Sequence, residues 1–476
     1  MTAATVPFSP GPPEGPGPGE SASDCEITLT WAEFTREIRA AERTGLCAHP
    51  VRLKGRIDAV DLATGELRNM YSTATERDGA LTTACGNRRE SVCPACSAVY
   101  KRDARQLVRA GLTGGKGIPD TVAGHPCAFA TFTAPSFGPV HARRMRGKTV
   151  LPCRPRRDAN ARRCPHGRDI SCPKRHCEDD PRLGRPLCPD CYDYPAAVAF
   201  NAGAGELWRR FTTYLPRHLA RLAGLTQRQL RDHVSVRYVK VAEYQARGVI
   251  HFHAIIRLDA PGETYQQPPA RFGVGLLAEA IRKAAAAVAV IPDDGPPCVL
   301  RFGSQVDPRP IRHSDGLPGT GRKLSVQAVG NYIAKYATKA LDAPGVPDRP
   351  LRFRHDLDNL RCSRHHARMI QTAWDLGGGV PGPDARLCKW AHMLGYGGHF
   401  LTKSRRYSVT FGQLRRARTE HRKTQRHPDG QRDPWGRPLD ETVVLVLSVW
   451  SYDGPAHTIA PAAELALAAA DRARAH

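Results

Sequence analysis

The chain has 476 residues, with 70 Lys and Arg against 46 Asp and Glu and a formal net charge of +24, a balance that points to a polyanionic partner. No apolar run approaches the roughly 20 residues that span a bilayer, so no membrane association is expected and a soluble, cytoplasmic protein is. In that setting the 15 cysteines read as thiols or metal ligands, not disulfides.

The opening "MTAATVPFSPGPPEGPGPGESASD" lacks the basic start and apolar core of a signal peptide, and its Pro/Gly density predicts a disordered leader over 1–24. Residues 25–125 read as an N-terminal region carrying a first cysteine knuckle, "CGNRRESVCPAC", with Cys85, Cys93 and Cys96. "CAFATFTAP" alternates as a buried strand ending at Pro135. A cysteine-rich insertion over 150–195 follows, with Cys153, Cys164, His166, Cys172, His176, Cys177 and the second knuckle "CPDC", Cys188 and Cys191. A two-residue spacer lets two thiolates wrap one ion, so one or two structural zinc sites are expected. One arrangement joins Cys93, Cys96, Cys188 and Cys191; a second site would use Cys153, Cys164, His166 and Cys172, with Cys85 as an alternative ligand.

Beyond the cysteines, "AAVAFNAGAGELWRRFTTYLPRHLARLAGL" has helical spacing interrupted at Pro216. "HVSVRYVKVAEYQ" and "GVIHFHAIIRL" alternate as two strands joined by a short turn at 246–248. "PARFGVGLLAEAIRKAAAAVAVI" reads as a helix and "CVLRFGSQVDPRPI" as a strand. The order β-α-β-β-α-β describes an α+β domain over 126–345, a central antiparallel sheet with helices on one side in the split-βαβ arrangement. "LSVQAVGNYIAKYATKALD" is a further amphipathic helix. Residues 346–476 form a basic C-terminal extension, partly disordered.

In the strand "IHFHAIIRL" one face is apolar, while His251 and His253 share the other. Glu243, across the predicted hairpin, can face either imidazole, and the three would hold a divalent ion open to phosphate oxygens. Tyr332 and Tyr336 stand one helical turn apart, with Lys335 and Lys339 beside them to favour phenolate. A tyrosine nucleophile there would leave a 5′-phosphotyrosine and a free 3′-OH. Taken singly, each feature also has a plain structural explanation: half-exposed histidines, a solvated Glu243, boundary tyrosines.

Three motifs in this order resemble those of HUH-superfamily rolling-circle replication initiators: "FATFTAP", "HFHAIIRL" and "YIAKYATK". "CPAC", "FATFTAPSFGPVHARR", "LCPDCYDY" and "KVAEYQARGVIHFHAIIRLD" are similar to the RepSA-like initiators of actinobacterial plasmids, over about 80–345 and on through "WAHMLGYGGHFLTKSRRYS". The resemblance implies an HUH endonuclease-like fold, site-specific nicking of a single strand at the plasmid double-strand origin, strand transfer at termination, and Mg²⁺ or Mn²⁺ at the histidine pair. It favours Tyr336 as first nucleophile, since that position is Tyr in one- and two-tyrosine variants. No phosphate-binding GxxxxGK[ST] loop occurs, so a host helicase is expected to open the duplex. Competing readings are a two-tyrosine HUH transposase and a non-catalytic zinc-containing DNA-binding regulator.

Overall fold

The computed structural model describes residues 41–76, 78–155, 163–262, 265–292, 296–311, 329–333, 349–380, 385–426, 433–437 and 444–456, with a few isolated positions besides. The leader expected at 1–24 lies outside them, as do Lys335, Tyr336 and Lys339. The chain divides into two compact units, Met1–Tyr100 with Ala417–His476, and Lys101–Arg416.

The first unit is built on β1 (Val51–Asp61), which pairs with β2 (Leu67–Ser72) and β3 (Leu81–Thr83) on one side. Its other side pairs antiparallel with β11 (Val444–Pro455), a strand almost 400 residues further along the chain, from Asp61↔Val444 to Val51↔Pro455. Chain order alone gives no hint of that partnership.

The second unit holds a five-stranded sheet in the order β10-β7-β8-β4-β9, with every neighbouring pair antiparallel. These are β4 (Cys127–Phe132), β7 (Ser235–Tyr244), β8 (Ile250–Asp259), β9 (Val306–Pro310) and β10 (Leu401–Lys403). β4, β7, β8 and β9 follow the expected split-βαβ order, with β8 seated between β4 and β7. The edge strand β10 comes from the segment after 346, so this unit draws on both sides of that position.

Helices α2 (Tyr194–Leu222), α3 (Val274–Ala287) and α4 (Arg364–Leu376) share one core with the even-numbered side chains of β4 and β8. Phe132 and Phe252 lie edge-on to Trp208, with centroids 5.6 and 5.8 Å away, and Phe132 packs 4.7 Å from Phe211. α2 starts where Asp193 accepts from Ala196 N at 2.9 Å. It runs through Pro216, where an interruption was expected. Leu215 and Leu219 flank that proline on the buried face, and their burial outweighs one missing backbone bond.

The opposite face is polar and differs at its two ends. At one end Arg257 forks onto Asp259 at 2.6 and 2.8 Å and donates to Gly111 O in α1 (Pro94–Thr113). Tyr407 lies under the guanidinium at 5.4 Å and donates to Val108 O at 3.2 Å. Burial alone would raise the Asp259 carboxyl, but hydrogen bonds from His125 and Arg257 outweigh it and hold it below its ordinary value. The other end carries the histidines.

Asn201, fully buried on α2, ties the β7–β8 turn to the helix layer. It donates to Gly248 O and Leu394 O at 2.9 Å each and accepts from Ile250 N at 2.8 Å. Asn201→Ala strands all three groups, and about 2 kcal/mol or more of unfolding free energy is expected to be lost. Urea unfolding of the two proteins checks it, and equal midpoints would refute the pinning role.

Candidate active site

Gly248 turns the chain with φ +71° between β7 and β8. A Cβ there would crowd Met369 Sδ at 2.7 Å and Leu394 Cδ1 at 2.8 Å, and the left-handed φ itself favours glycine. From it the register runs back as Tyr244↔Ile250, Glu243↔His251 and Val241↔His253. The expected juxtaposition is therefore realised: Glu243 Oε2 lies 2.9 Å from His251 Nε2 and 3.1 Å from His253 Nε2. All three donor atoms fall within 4.8 Å of one another, the span of a single ion's ligand shell.

β4 supplies the support. Thr131, opposite His253, places Oγ1 3.0 Å from His253 Nδ1. With Nδ1–H donating to that hydroxyl, Nε2 carries the lone pair that a metal needs. Phe129 stacks on the His253 ring at 5.7 Å and fixes its plane. Burial lowers the His253 imidazole, which keeps it neutral. Burial would raise Glu243, but the neighbouring His251 and His253 outweigh it and hold the carboxyl below its ordinary value.

Tyr332, on the helical turn at 329–333, brings its hydroxyl to 3.1 Å from His253 Nε2. Its ring stands edge-on to His253 at 4.9 Å and to Phe129 at 5.6 Å. The residue named from sequence 79 positions after the histidine thus meets it in space. The preferred Tyr336, with Lys335 and Lys339, falls outside the described residues.

The cysteines form three clusters of four ligands each among the described residues. In the first unit, Cys47, Cys85, Cys93 and Cys96 come together, with Sγ–Sγ separations of 3.7 to 3.8 Å. A tetrahedron with metal–sulfur bonds of about 2.3 Å has edges of about 3.8 Å. In the second unit, His141, Cys153, Cys172 and His176 form one cluster, with 3.3 Å between the imidazole nitrogens and 3.5 Å from Cys172 Sγ to His176 Nε2. Asp180 takes the other nitrogen of His176 at 2.7 Å, the outer-shell carboxylate typical of a ligating histidine. Cys164, His166, Cys188 and Cys191 form the last, with His166 Nδ1 3.2 Å from Cys191 Sγ.

The pairing read from sequence is corrected here. Cys93 and Cys96 do not share a site with Cys188 and Cys191, and Cys153 and Cys172 are not joined to Cys164 and His166. Cys85 is a full member of the first cluster. Sequence reading did not place Cys47, His141 and His176 in these clusters. The first two stand alone in sequence, 46 residues before Cys93 and 35 before His176, and only folding brings them in. His176 had a local signal, four residues after Cys172.

A family model described as "Replication initiator protein, pSAM2" matches residues 33–471. A replication initiator protein of Streptomyces ambofaciens is 44% identical over 435 residues, covering 90% of this chain and 87% of that protein. The chain belongs to the RepSA family of replication initiators. No solved structure matches it.

In this RepSA initiator Thr131 is the neighbour that orients a candidate metal ligand without being one. Thr131→Val keeps the shape and removes the hydroxyl, so Mn²⁺ affinity is expected to fall about 10- to 100-fold. Calorimetric titration measures it, and unchanged affinity would exclude the orienting role.

Proposed function

We propose that this initiator is an HUH-type, metal-dependent DNA-nicking and strand-transfer enzyme that starts rolling-circle replication of a plasmid. The observation that carries the reading is the Tyr332 hydroxyl 3.1 Å from His253, beside the Glu243–His251–His253 donor set. Its donors, two imidazole nitrogens and a carboxylate oxygen, fit Mg²⁺ or Mn²⁺ with positions open for phosphate oxygens. Such an ion supplies Lewis-acid polarisation of the scissile phosphate.

The chain's own groups do the rest. A tyrosine phenol is ionised to about one part in a thousand at neutral pH. Lys335 and Lys339, near the tyrosines in sequence, favour the phenolate. The Tyr332 oxygen attacks phosphorus, the bond to the 3′-oxygen breaks, and the phenol's proton passes to that leaving oxygen. The products are a 5′-phosphotyrosine and a free 3′-OH for a polymerase. The phosphodiester energy stays in the phosphotyrosine bond, and Tyr336 accepts the strand in the second transfer at termination. The place of Tyr332 beside His253 supports it as a nucleophile; Tyr336, which the sequence reading favoured, lies outside the described residues. Double-strand origin DNA, its single-stranded nick site and a host helicase are the partners of this cytoplasmic activity; the +24 charge supports the first two.

Covalent-adduct formation tests it. The protein, Mn²⁺ and a labelled single strand from the neighbouring origin are resolved on a denaturing gel. A shifted band is expected for the wild type and not for Tyr332→Phe or His251→Ala. Loss in Tyr336→Phe alone would reverse the order of the tyrosines, and a wild type without any band would sink the nicking reading.

The three Cys/His clusters are, in this reading, structural zinc sites, where sequence reading expected one or two. Their thiolate-rich sets and near-tetrahedral spacings fit zinc. Protein purified without added metal is expected to contain three zinc ions per chain by mass spectrometry of the metal, and two for Cys172→Ser. A metal-free, fully folded wild type would contradict this.

A further inference from the structure

The turn between β7 and β8 does more than set the histidine register. With the loop after the His141–His176 cluster and the start of α4, it encloses a cavity of about 550 Å³. That volume lies in the range of small-ligand sites. Arg185, Arg361, His366, Asp179 and Leu183 line it.

Its walls are tied to one another. Gly184, at φ +79°, lies so close to the Ala246 backbone that no Cβ fits between them. Asp180 holds its loop by accepting from Arg182 at 2.6 and 2.9 Å and by meeting His176 Nδ1. His365, at the start of α4, donates from Nε2 to Arg247 O at 2.9 Å and fixes the turn. The cavity is therefore preformed, and little ordering cost falls on a ligand that enters.

Its chemistry is that of a nucleotide. Arg185 and Arg361 are exposed at the cavity and make no ion pair with an acid among the described residues. Leu183 gives an apolar surface for a base. Burial pushes the His366 imidazole down to about 4, so it stays neutral and offers one donor and one acceptor. Asp179 adds an acceptor for an exocyclic amino group. Ala246, on the cavity wall, is three residues beyond Glu243 in the chain, so their Cα atoms are at most about 11 Å apart. A strand with its scissile phosphate at Glu243, His251 and His253 has a neighbouring nucleotide within reach of this cavity.

We propose that the cavity takes up one nucleotide of single-stranded DNA flanking the nick site, its phosphate on Arg185 and Arg361, its base against Leu183 with the polar edge on His366 and Asp179. The inference rests on the nicking reading for its ligand and adds to it a site that reads a base.

A binding measurement tests it apart from the chemistry. The full chain is titrated, without Mg²⁺ or Mn²⁺, against fluorescein-labelled single strands from the neighbouring origin, and anisotropy is followed over a range of salt. A second set of strands carries an abasic residue at each position in turn. In the wild type one abasic position is expected to weaken binding about 10-fold or more. In Arg185→Ala/Arg361→Ala the salt slope is expected to drop by about 0.7, the loss of one neutralised phosphate on a single strand. In His366→Ala the penalty at that one position should shrink, since Leu183 and Asp179 remain. Arg209→Ala, on the exposed side of α2, and equal melting temperatures control for general charge and for folding.

An unchanged slope in the double variant, no position-specific penalty, or a wild type that does not bind single strands would each overturn the proposal. A reduced slope with no covalent adduct would keep the pocket and remove the nicking reading. An adduct with an unchanged slope would do the reverse.

Discussion

The register of β7 against β8 is the constraint on which the candidate active site depends. In a strand, a slip of one residue carries every side chain to the other face. Here a slip would turn His251 and His253 into the helix layer and push Phe252 and Ala254 out of the core. Two features fix the register at its source. Gly248 takes a left-handed turn that favours glycine, and Asn201 satisfies the backbone on both sides of that turn from within α2. The burial of the even-numbered face of β8 then enforces it along the strand.

The same face of the sheet uses polar groups for two purposes, separated by Ile255. At the far end Arg257, Asp259 and His125 are buried and joined by close hydrogen bonds, with the buried Tyr407 ring against the guanidinium. Buried charges are stable there because each meets an opposite charge or a carbonyl. At the near end Glu243, His251 and His253 hold their polarity toward one another, while Thr131 and Phe129 fix the geometry. The far end holds β8 against α1; the near end offers lone pairs to a cation. One strand thus carries both an anchor and a ligand set, at a separation that its rigidity preserves.

The stretch between β4 and α2 shows a different solution to stability. Among the described residues its only strands are β5 (Arg144–Arg146) and β6 (Thr149–Leu151), too short to bury a core. Two clusters of four Cys and His side chains, each with its ligand atoms close enough to hold one metal ion, lie in this stretch. The loop after the His141–His176 cluster reaches the β7–β8 turn, where Gly184 packs against the Ala246 backbone.

Much of this was legible in the residues alone. The period-two alternation of β4, β7 and β8 is local, and so are the His-Phe-His motif and the Cys-Pro-x-Cys knuckles, because each needs only neighbours a few residues apart. From these followed the split-βαβ order, the facing of Glu243 with His251, and the presence of metal-ligand clusters. What sequence could not supply was closure over long separations. Cys47 and His141 carry no local mark of being ligands, β11 no mark of pairing with β1, and β10 none of edging the second sheet. A helix or strand pattern records which face is buried but not against what, since burial is non-directional while register and ligation demand particular partners. Periodicity therefore established the elements and the donor types. The choice of partners was left to the packing that brings distant segments into one place.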